Sequence, residues 1–296
     1  MNTHLNTIQP TARMDSIDFI IVSNRGTTKI TQLFKEAAAS PEKWMAHHFI
    51  VVYDTEEECR DLKAWVAQSR EFLPLPRITP CLAAPQNCKN VNALRAQGME
   101  QGTNAYVYFQ DDDDPLPEGL ERRIKMMESS TWVAIYGITR NISARGQIIE
   151  EFPVLVRDNF AYDPNEATRM FPTYAHPLAA LFKRDLFKKV PICDENIYNC
   201  SGSNAFSVRL FASNLPVHFL PDLIRTVRDH AGNSNGIFES GEAENLAADI
   251  QTWSSQLNDV AVETFQKEIA EALIEGTITT YREIDAQVET RLEGSS

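Results

Sequence analysis

The chain is 296 residues long, with 43% hydrophobic and 23% charged residues, which excludes wholesale disorder and suits one large domain, alone or with a small appendage. No apolar stretch approaches the roughly 18 residues of a bilayer-crossing helix, and Met1 to Met14 lacks the apolar core of a signal peptide, so a cytoplasmic protein is expected. The net charge of −13 disfavours a polyanionic partner, but residues 237–296 hold thirteen acids against three bases, so the acidity belongs mainly to the tail.

Residues 1–15 are polar and aperiodic and read as a loose leader. Ile17 to Val22 is a β-branched apolar run closed by Ser23-Asn24-Arg25-Gly26, which suits a buried parallel strand opening into a loop and a helix from about Thr28 to Ala39. His48 to Tyr53 repeats the pattern, ends on Asp54 and leads into a helix over Glu56 to Ser69, with Leu62, Trp65 and Val66 on one face. Phe72 to Pro85, with four prolines, reads as extended or loop, and Asn90 to Gln101 as a helix. Tyr106 to Gln110 is the next strand, and it ends in the acidic run Asp111 to Asp114.

Strands alternating with helices at this spacing predict a mostly parallel, doubly wound α/β sheet, whose ligands bind beyond the carboxyl ends of the strands. Asp54 and the run Asp111 to Asp114 both fall at such ends. Beyond them the pattern predicts a helix over Pro117 to Ser129 and strands over Trp132 to Gly137, Gln147 to Val156, Leu178 to Phe182 and Val217 to Leu220. Helical turns are expected at Arg184 to Lys189 and Asn204 to Ala212. In the tail, Leu246, Ile250, Trp253 and Leu257, then Val262, Phe265, Ile269 and Leu273, recur at three- and four-residue steps, as in two amphipathic helices. Such stripes predict packing on the main domain or on a second copy of the chain.

Five cysteines (Cys59, Cys81, Cys88, Cys193 and Cys200) without a CxxC pair argue against a disulfide framework or a thiolate zinc site. Four consecutive aspartates after an apolar strand repel one another unless a cation or hydrogen-bond donors neutralise them. Oxygen ligands suit Mg2+ or Mn2+, held by one or two carboxylates together with substrate phosphates. The alternative is a solvated acidic loop at a helix start, with Glu118 near that helix's amino end. His47-His48 alternate faces on a strand, which argues against a metal pair, and the isolated bases Lys89, Arg95, Arg140 and Arg157 read as surface residues more than phosphate ligands.

Taken in order, these segments resemble the family-2-like inverting glycosyltransferases and their GT-A relatives, over residues 16–236. The resemblance rests on Ser16 to Arg25, on Val51-Val52-Tyr53-Asp54, on Asn92 to Gly102 and on Tyr108 to Pro117 with its Asp-x-Asp motif. His176 to Asp185, Val190 to Glu195, Val208-Arg209-Leu210 and Val217 to His230 continue it. It implies a Rossmann-like GT-A domain with residues 237–296 as a C-terminal helical appendage. It also implies donor contacts from Ser23, Asn24 and Arg25, a base contact from Asp54, ribose or metal from Asp112, and metal from Asp114. Asp111 and Asp113 are able to fill the same two slots, although the spacing to Pro117 favours Asp112 and Asp114. Arg228 reads as a phosphate clamp or a surface salt bridge, and His230, before a Gly232 to Gly236 stretch that reads as a lid, as a third metal ligand or phosphate contact.

One departure stands out. Where the family carries an acidic pair that deprotonates the acceptor, this chain has Ser201-Gly202-Ser203-Asn204, none of which is a base near pH 7. Asp194 or Glu195 substitutes, or the enzyme is retaining and the leaving phosphate takes the proton, or the protein binds a nucleotide sugar without transferring it. The leading expectation is metal-dependent transfer of a sugar from a nucleoside-diphosphate sugar to a hydroxyl-bearing acceptor: a glycan, a small molecule or a modified nucleic acid. Sugar-phosphate nucleotidyl transfer and a non-catalytic nucleotide-sugar-binding or assembly role are the alternatives.

Overall fold

The computed structural model describes residues 16–23, 26–87, 90–143, 146–152, 177–193, 206, 209–210, 213, 215–228, 242–254, 260–279, 283–284, 286–287 and 290–291. Three βα repeats open it. Strand β1 (Ile17–Ser23), helix α1 (Thr27–Ala39) and the short α2 (Pro41–Trp44) lead to β2 (His48–Tyr53). Helix α3 (Glu56–Ser69) leads to β3 (Arg77–Leu82), and α4 (Val91–Glu100) to β4 (Tyr106–Asp111). These four strands are parallel, in the spatial order β3-β2-β1-β4.

Helix α5 (Leu120–Glu128) follows, then β5 (Ala134–Ile142), β6 (Ile148–Phe152), β7 (Ala180–Lys183) and the long β8 (Val217–Arg228). β7 runs antiparallel to both β4 and β5, so β5 points the same way as β4. β6 is antiparallel to β5, and β8 runs parallel to it along its length. The eight strands form one mixed, mostly parallel sheet with helices on its faces, the α/β class that the alternation of elements predicts.

Successive strand residues face opposite sides of the sheet, and each side has its own core. Phe19, Ile21, Phe49, Val51, Tyr53 and Tyr108 face α1, α3 and α5; the Phe19 and Phe49 rings stack at 4.6 Å, and Phe34 of α1 meets Phe49 edge-on. Ile20, Ile50, Val52, Val107 and Phe109 face α4 and the aromatic group Phe182, Phe187 and Phe206. A Cβ on Gly98 of α4 would stand 2.7 Å from Ile20 Cγ2, so this glycine lets the helix lie close on the sheet.

At the amino ends of the strands the buried Asp18 carboxylate is fully engaged. It accepts from the Asn104 backbone N–H at 2.9 Å and the Asn104 side-chain amide at 2.8 Å, pairs with Arg184, and lies 3.2 Å from His48 Nδ1. His48 is thereby a structural histidine, as its strand position suggests. Among the described residues, Cys59, Cys81 and Cys193 are not joined in disulfides.

Several boundaries differ from the sequence reading. Phe72 to Pro85 contains a true strand, β3, at the sheet edge, where Pro80 is tolerated because an edge strand has one side without a ladder partner. Helix α5 starts at Leu120, behind Gly119 in the left-handed region at φ 66. β8 runs eight residues beyond Leu220, to Arg228. In the tail, α6 (Glu242–Ser254) and α7 (Val260–Ile274) are the two expected helices, and Leu246, Ile250, Phe265, Ile269 and Leu273 are buried. No helix among the described residues is long and apolar enough to cross a membrane.

Candidate functional site

The strand register assembles the site. Ser23 at the end of β1 lies level with Tyr53, and Val22 with Asp111, so Ser23, Asp54 and the acidic run meet at the carboxyl edge between β2, β1 and β4. The turn after β4 is braced from within: the Gln110 side-chain amide donates to the Asp111 carbonyl at 2.9 Å and to the Asp114 carbonyl at 3.1 Å.

The four carboxylates alternate in exposure, and each has a side-chain partner. Asp112 is buried and accepts from the Ser23 hydroxyl at 2.6 Å. Asp113, with a side chain 14% exposed, pairs with Lys29 of α1 at 3.1 Å. Asp111, 35% exposed, and Asp114, only 4% exposed, share Arg225 of β8: its Nη2 is 2.6 Å from Asp111 Oδ2 and 2.7 Å from Asp114 Oδ2, and its Nε donates to Asp114 at 2.8 Å. Arg95 of α4 approaches Asp111 from the other side at 3.7 Å. The repulsion that four adjacent aspartates predict is therefore met by three side-chain cations and a hydroxyl.

Titration follows from this packing. Burial pushes the Asp114 carboxyl above the usual carboxylate range; Arg225 opposes the shift, and Asp111 and Asp113 reinforce it. Burial also works against the charge on Arg225, yet Asp114 and Asp111 outweigh it and hold the guanidinium above its ordinary value. Arg95 is lowered by burial, with Asp111 offsetting part of the effect. The Tyr53 phenol is held protonated by burial, helped by the nearby Glu58 and Asp112 carboxylates.

How Arg225 reaches the acidic run depends on a break in the β5–β8 register. Tyr136 pairs with Phe219, but Ile138 pairs with Leu223 and Thr139 with Arg225, so β8 holds extra residues opposite Gly137 and its neighbours. The wholly buried Arg123 of α5 fills this bulge. Its Nη2 donates to the Asp222 carbonyl and to Asp222 Oδ1, each at 3.0 Å, and its Nη1 to the Gly119 carbonyl at 3.2 Å. A Cβ on Gly137 would run into the Arg123 guanidinium and stand 2.7 Å from the Asp222 carbonyl oxygen. The Glu118 N–H donates to the Ile224 carbonyl at 3.3 Å, a second tie between β8 and the segment after the acidic run.

Of the residues expected at the site, the structure gathers Ser23, Asp54 and Asp111 to Asp114 at one edge, and Arg228 ends β8, three residues beyond Arg225. Asn24, Arg25, Asp194, Glu195, Lys89, Arg157 and His230 lie outside the described residues. Arg95 is not the surface base its isolation suggests: it is buried, its guanidinium lies over the Phe109 ring, and its Nη1 donates to Asn92 Oδ1 at 3.0 Å. Arg225 and Arg123 escaped the sequence reading. A signal for Arg123 was present, since positions 120, 123, 124 and 127 of α5 form one buried stripe.

Asp111 and Asp113, both partly exposed, carry hard oxygen donors of the kind a divalent cation takes, and each is paired here with a side-chain cation, Arg225 and Lys29 respectively. Among the described residues, no three or more His, Cys, Asp or Glu side chains gather into a self-sufficient metal site.

No protein-family model and no curated protein sequence matches the chain. Solved structures do. Residues 1–349 of Staphylococcus aureus TarS in complex with UDP-GlcNAc align with a TM-score of 0.59 at 14% identity, over 88% of this chain and 71% of that one. The longer S. aureus TarS structure aligns at 0.58 and 14%, over 88% of this chain and 43% of that one. The mannosyltransferase PcManGT of Pyrobaculum calidifontis, in complex with GDP-Man and Mn2+, aligns at 0.52 and 13%, over 88% and 74%. At such low identity the likeness bears on architecture, and with the sheet order described above it establishes that this chain has the GT-A glycosyltransferase fold.

Proposed function

We propose that the protein transfers a sugar from a nucleoside-diphosphate sugar to a hydroxyl-bearing acceptor with the help of Mn2+ or Mg2+. One observation carries this reading: the acidic run closes β4 at the carboxyl edge of the sheet, with Asp111 and Asp113 accessible and Asp112 and Asp114 turned inward. That alternation favours Asp111 and Asp113 as the metal-holding pair over Asp112 and Asp114, which the spacing to Pro117 favours. A bound divalent cation would neutralise charge developing on the leaving diphosphate.

The remaining roles belong to the chain. Ser23 and Asp112, joined by their hydrogen bond, form a rigid polar floor for the ribose, and Asp54 receives the base. Arg228, from the end of β8, clamps phosphate, and Asn24, Arg25 and His230 are the further donor contacts that the family resemblance implies. Asp194 or Glu195 deprotonates the acceptor. The TarS structure with UDP-GlcNAc and PcManGT with GDP-Man and Mn2+ support the donor class. The test is product analysis with Mn2+ and a panel of UDP-, GDP-, CDP- and dTDP-sugars. Release of nucleoside diphosphate from one donor is expected; release of pyrophosphate would assign the site to nucleotidyl transfer, and no release from any donor would leave a binding protein.

A further inference from the structure

Building on that donor-binding reading, we infer that Arg225 is a built-in counter-ion that occupies the acidic run when no donor is present and passes to the donor's diphosphate when one binds. The guanidinium lies where an external cation would otherwise be required. Its Nη2 bridges Asp111 Oδ2 at 2.6 Å and Asp114 Oδ2 at 2.7 Å, and so occupies the more exposed carboxylate of the proposed metal pair. A metal ion entering at Asp111 meets a carboxylate already neutralised on one oxygen by Arg225 and approached on the other by Arg95 at 3.7 Å. Cation binding without a donor is thereby opposed.

Arg225 is also placed to let go. Its side chain keeps 15% of its surface exposed, and its hydrogen bonds to protein among the described residues use only Nε and Nη2. Among the described residues, Nη1 is therefore the guanidinium nitrogen left for a ligand. A guanidinium has five N–H donors in a fork that suits phosphate oxygens, so it exchanges a carboxylate for a diphosphate without losing its charge pairing. Asp114 keeps the Nε contact and anchors the side chain during the exchange. Arg225 is in this sense a positioning and specificity residue: it holds the metal pair closed to free cations and opens it to a cation that arrives with a diphosphate.

The two functions predict effects of opposite sign in one variant. In Arg225→Gln, Mn2+ binding without nucleotide, followed by electron paramagnetic resonance, should tighten about tenfold or more, because Asp111 loses its competitor. Binding of UDP, GDP, CDP or dTDP at saturating Mn2+, followed by calorimetry, should weaken about tenfold for whichever nucleotide the wild type binds, as one charged phosphate contact disappears. Arg225→Lys keeps the charge but lacks the Nε donor to Asp114 and the planar fork, so its hold on the two carboxylates loosens; it should gain Mn2+ affinity while losing less nucleotide affinity, and it decides the matter if the glutamine variant does not fold. Unchanged or weakened Mn2+ binding in the folded variant would reduce Arg225 to a structural clamp and overturn the inference. If the wild type binds none of the four nucleotides, with or without Mn2+, the donor-binding reading itself fails and the inference goes with it.

Discussion

Replacing Arg123 with methionine probes the bulge that aims β8 at the acidic run. The wild-type guanidinium makes three hydrogen bonds at 3.0–3.2 Å, two of them to backbone carbonyls that would be left without this donor. Removing one partner of a buried ion pair costs about 3–5 kcal/mol. The lower end applies here, because Asp222 is one-third exposed and keeps Arg122 as a second partner at 2.9 Å. A loss of about 3 kcal/mol lowers Tm by roughly 6–12 °C in a domain of this size.

Gly137→Ala attacks the same place from β5, since its Cβ would meet both the guanidinium and, at 2.7 Å, the Asp222 carbonyl oxygen; overpacking of this kind costs about 1–3 kcal/mol. The double variant should be less damaged than the sum, by about 1 kcal/mol, because the clash with Arg123 vanishes while the one with Asp222 stays. Thermal and denaturant unfolding followed by circular dichroism read all three variants. If Arg123→Met melts within 2 °C of wild type, or the two substitutions add, the latch is not what holds the register.

Other consequences are sharper tests of single residues. Asp194→Asn and Glu195→Gln should each be assayed for turnover: a fall of about a hundredfold in one of them, with donor affinity kept, identifies the general base, and near-normal turnover in both shifts weight to retaining transfer, readable in the product's anomeric configuration by NMR. Truncation after Gly236 tests whether α6 and α7, whose Leu246, Ile250, Phe265 and Ile269 are buried in the intact chain, cover the main domain: lower solubility or an altered oligomeric state is the expected outcome, and an unchanged melting temperature and assembly would make the tail a mere acidic extension. His218 stacks on Trp132 with ring centroids 3.9 Å apart, and burial lowers its pKa from the ordinary value. Its neutral form is the one the folded state prefers, so its contribution to stability is present above about pH 6.5 and is lost as pH falls through the folded pKa. Trp132→Ala should return the NMR titration of His218 toward the ordinary value.

The parts of the fold written in hydrophobic runs were legible. β1, β2 and β4 are buried on both faces, so they appear as continuous apolar stretches, and their observed ends agree with the sequence reading to within one residue. β3 was not legible, because an edge strand with mixed exposure and a proline lacks such a run. The length of β8 was hidden because the apolar run ends at Leu220, and Pro221-Asp222 beyond it belongs to the bulge that Arg123 fills. The acidic run declared itself through its charge, and the need for neutralisation was correctly inferred. Its main protein source, Arg225, lies 111 residues beyond Asp114, and only the three-dimensional register connects the two. Arg95 was misread for a related reason: an isolated arginine on a helix says nothing of the sheet aspartate it will be folded against.

The central claim, that Asp111 and Asp113 hold a divalent cation on the diphosphate of a nucleotide-sugar donor, is tested most directly by thermal shift with UDP-, GDP-, CDP- and dTDP-sugars, with and without Mn2+. A ligand that binds only the native state raises its stability by about 2.7 kcal/mol at a hundred times Kd. The wild type should therefore gain several degrees with one donor class, and only when Mn2+ is present. Asp111→Asn with Asp113→Asn should lose that gain while its Tm without ligand stays within a few degrees of wild type. No stabilisation of the wild type by any donor, or an undiminished Mn2+-dependent shift in the double variant, would contradict the account.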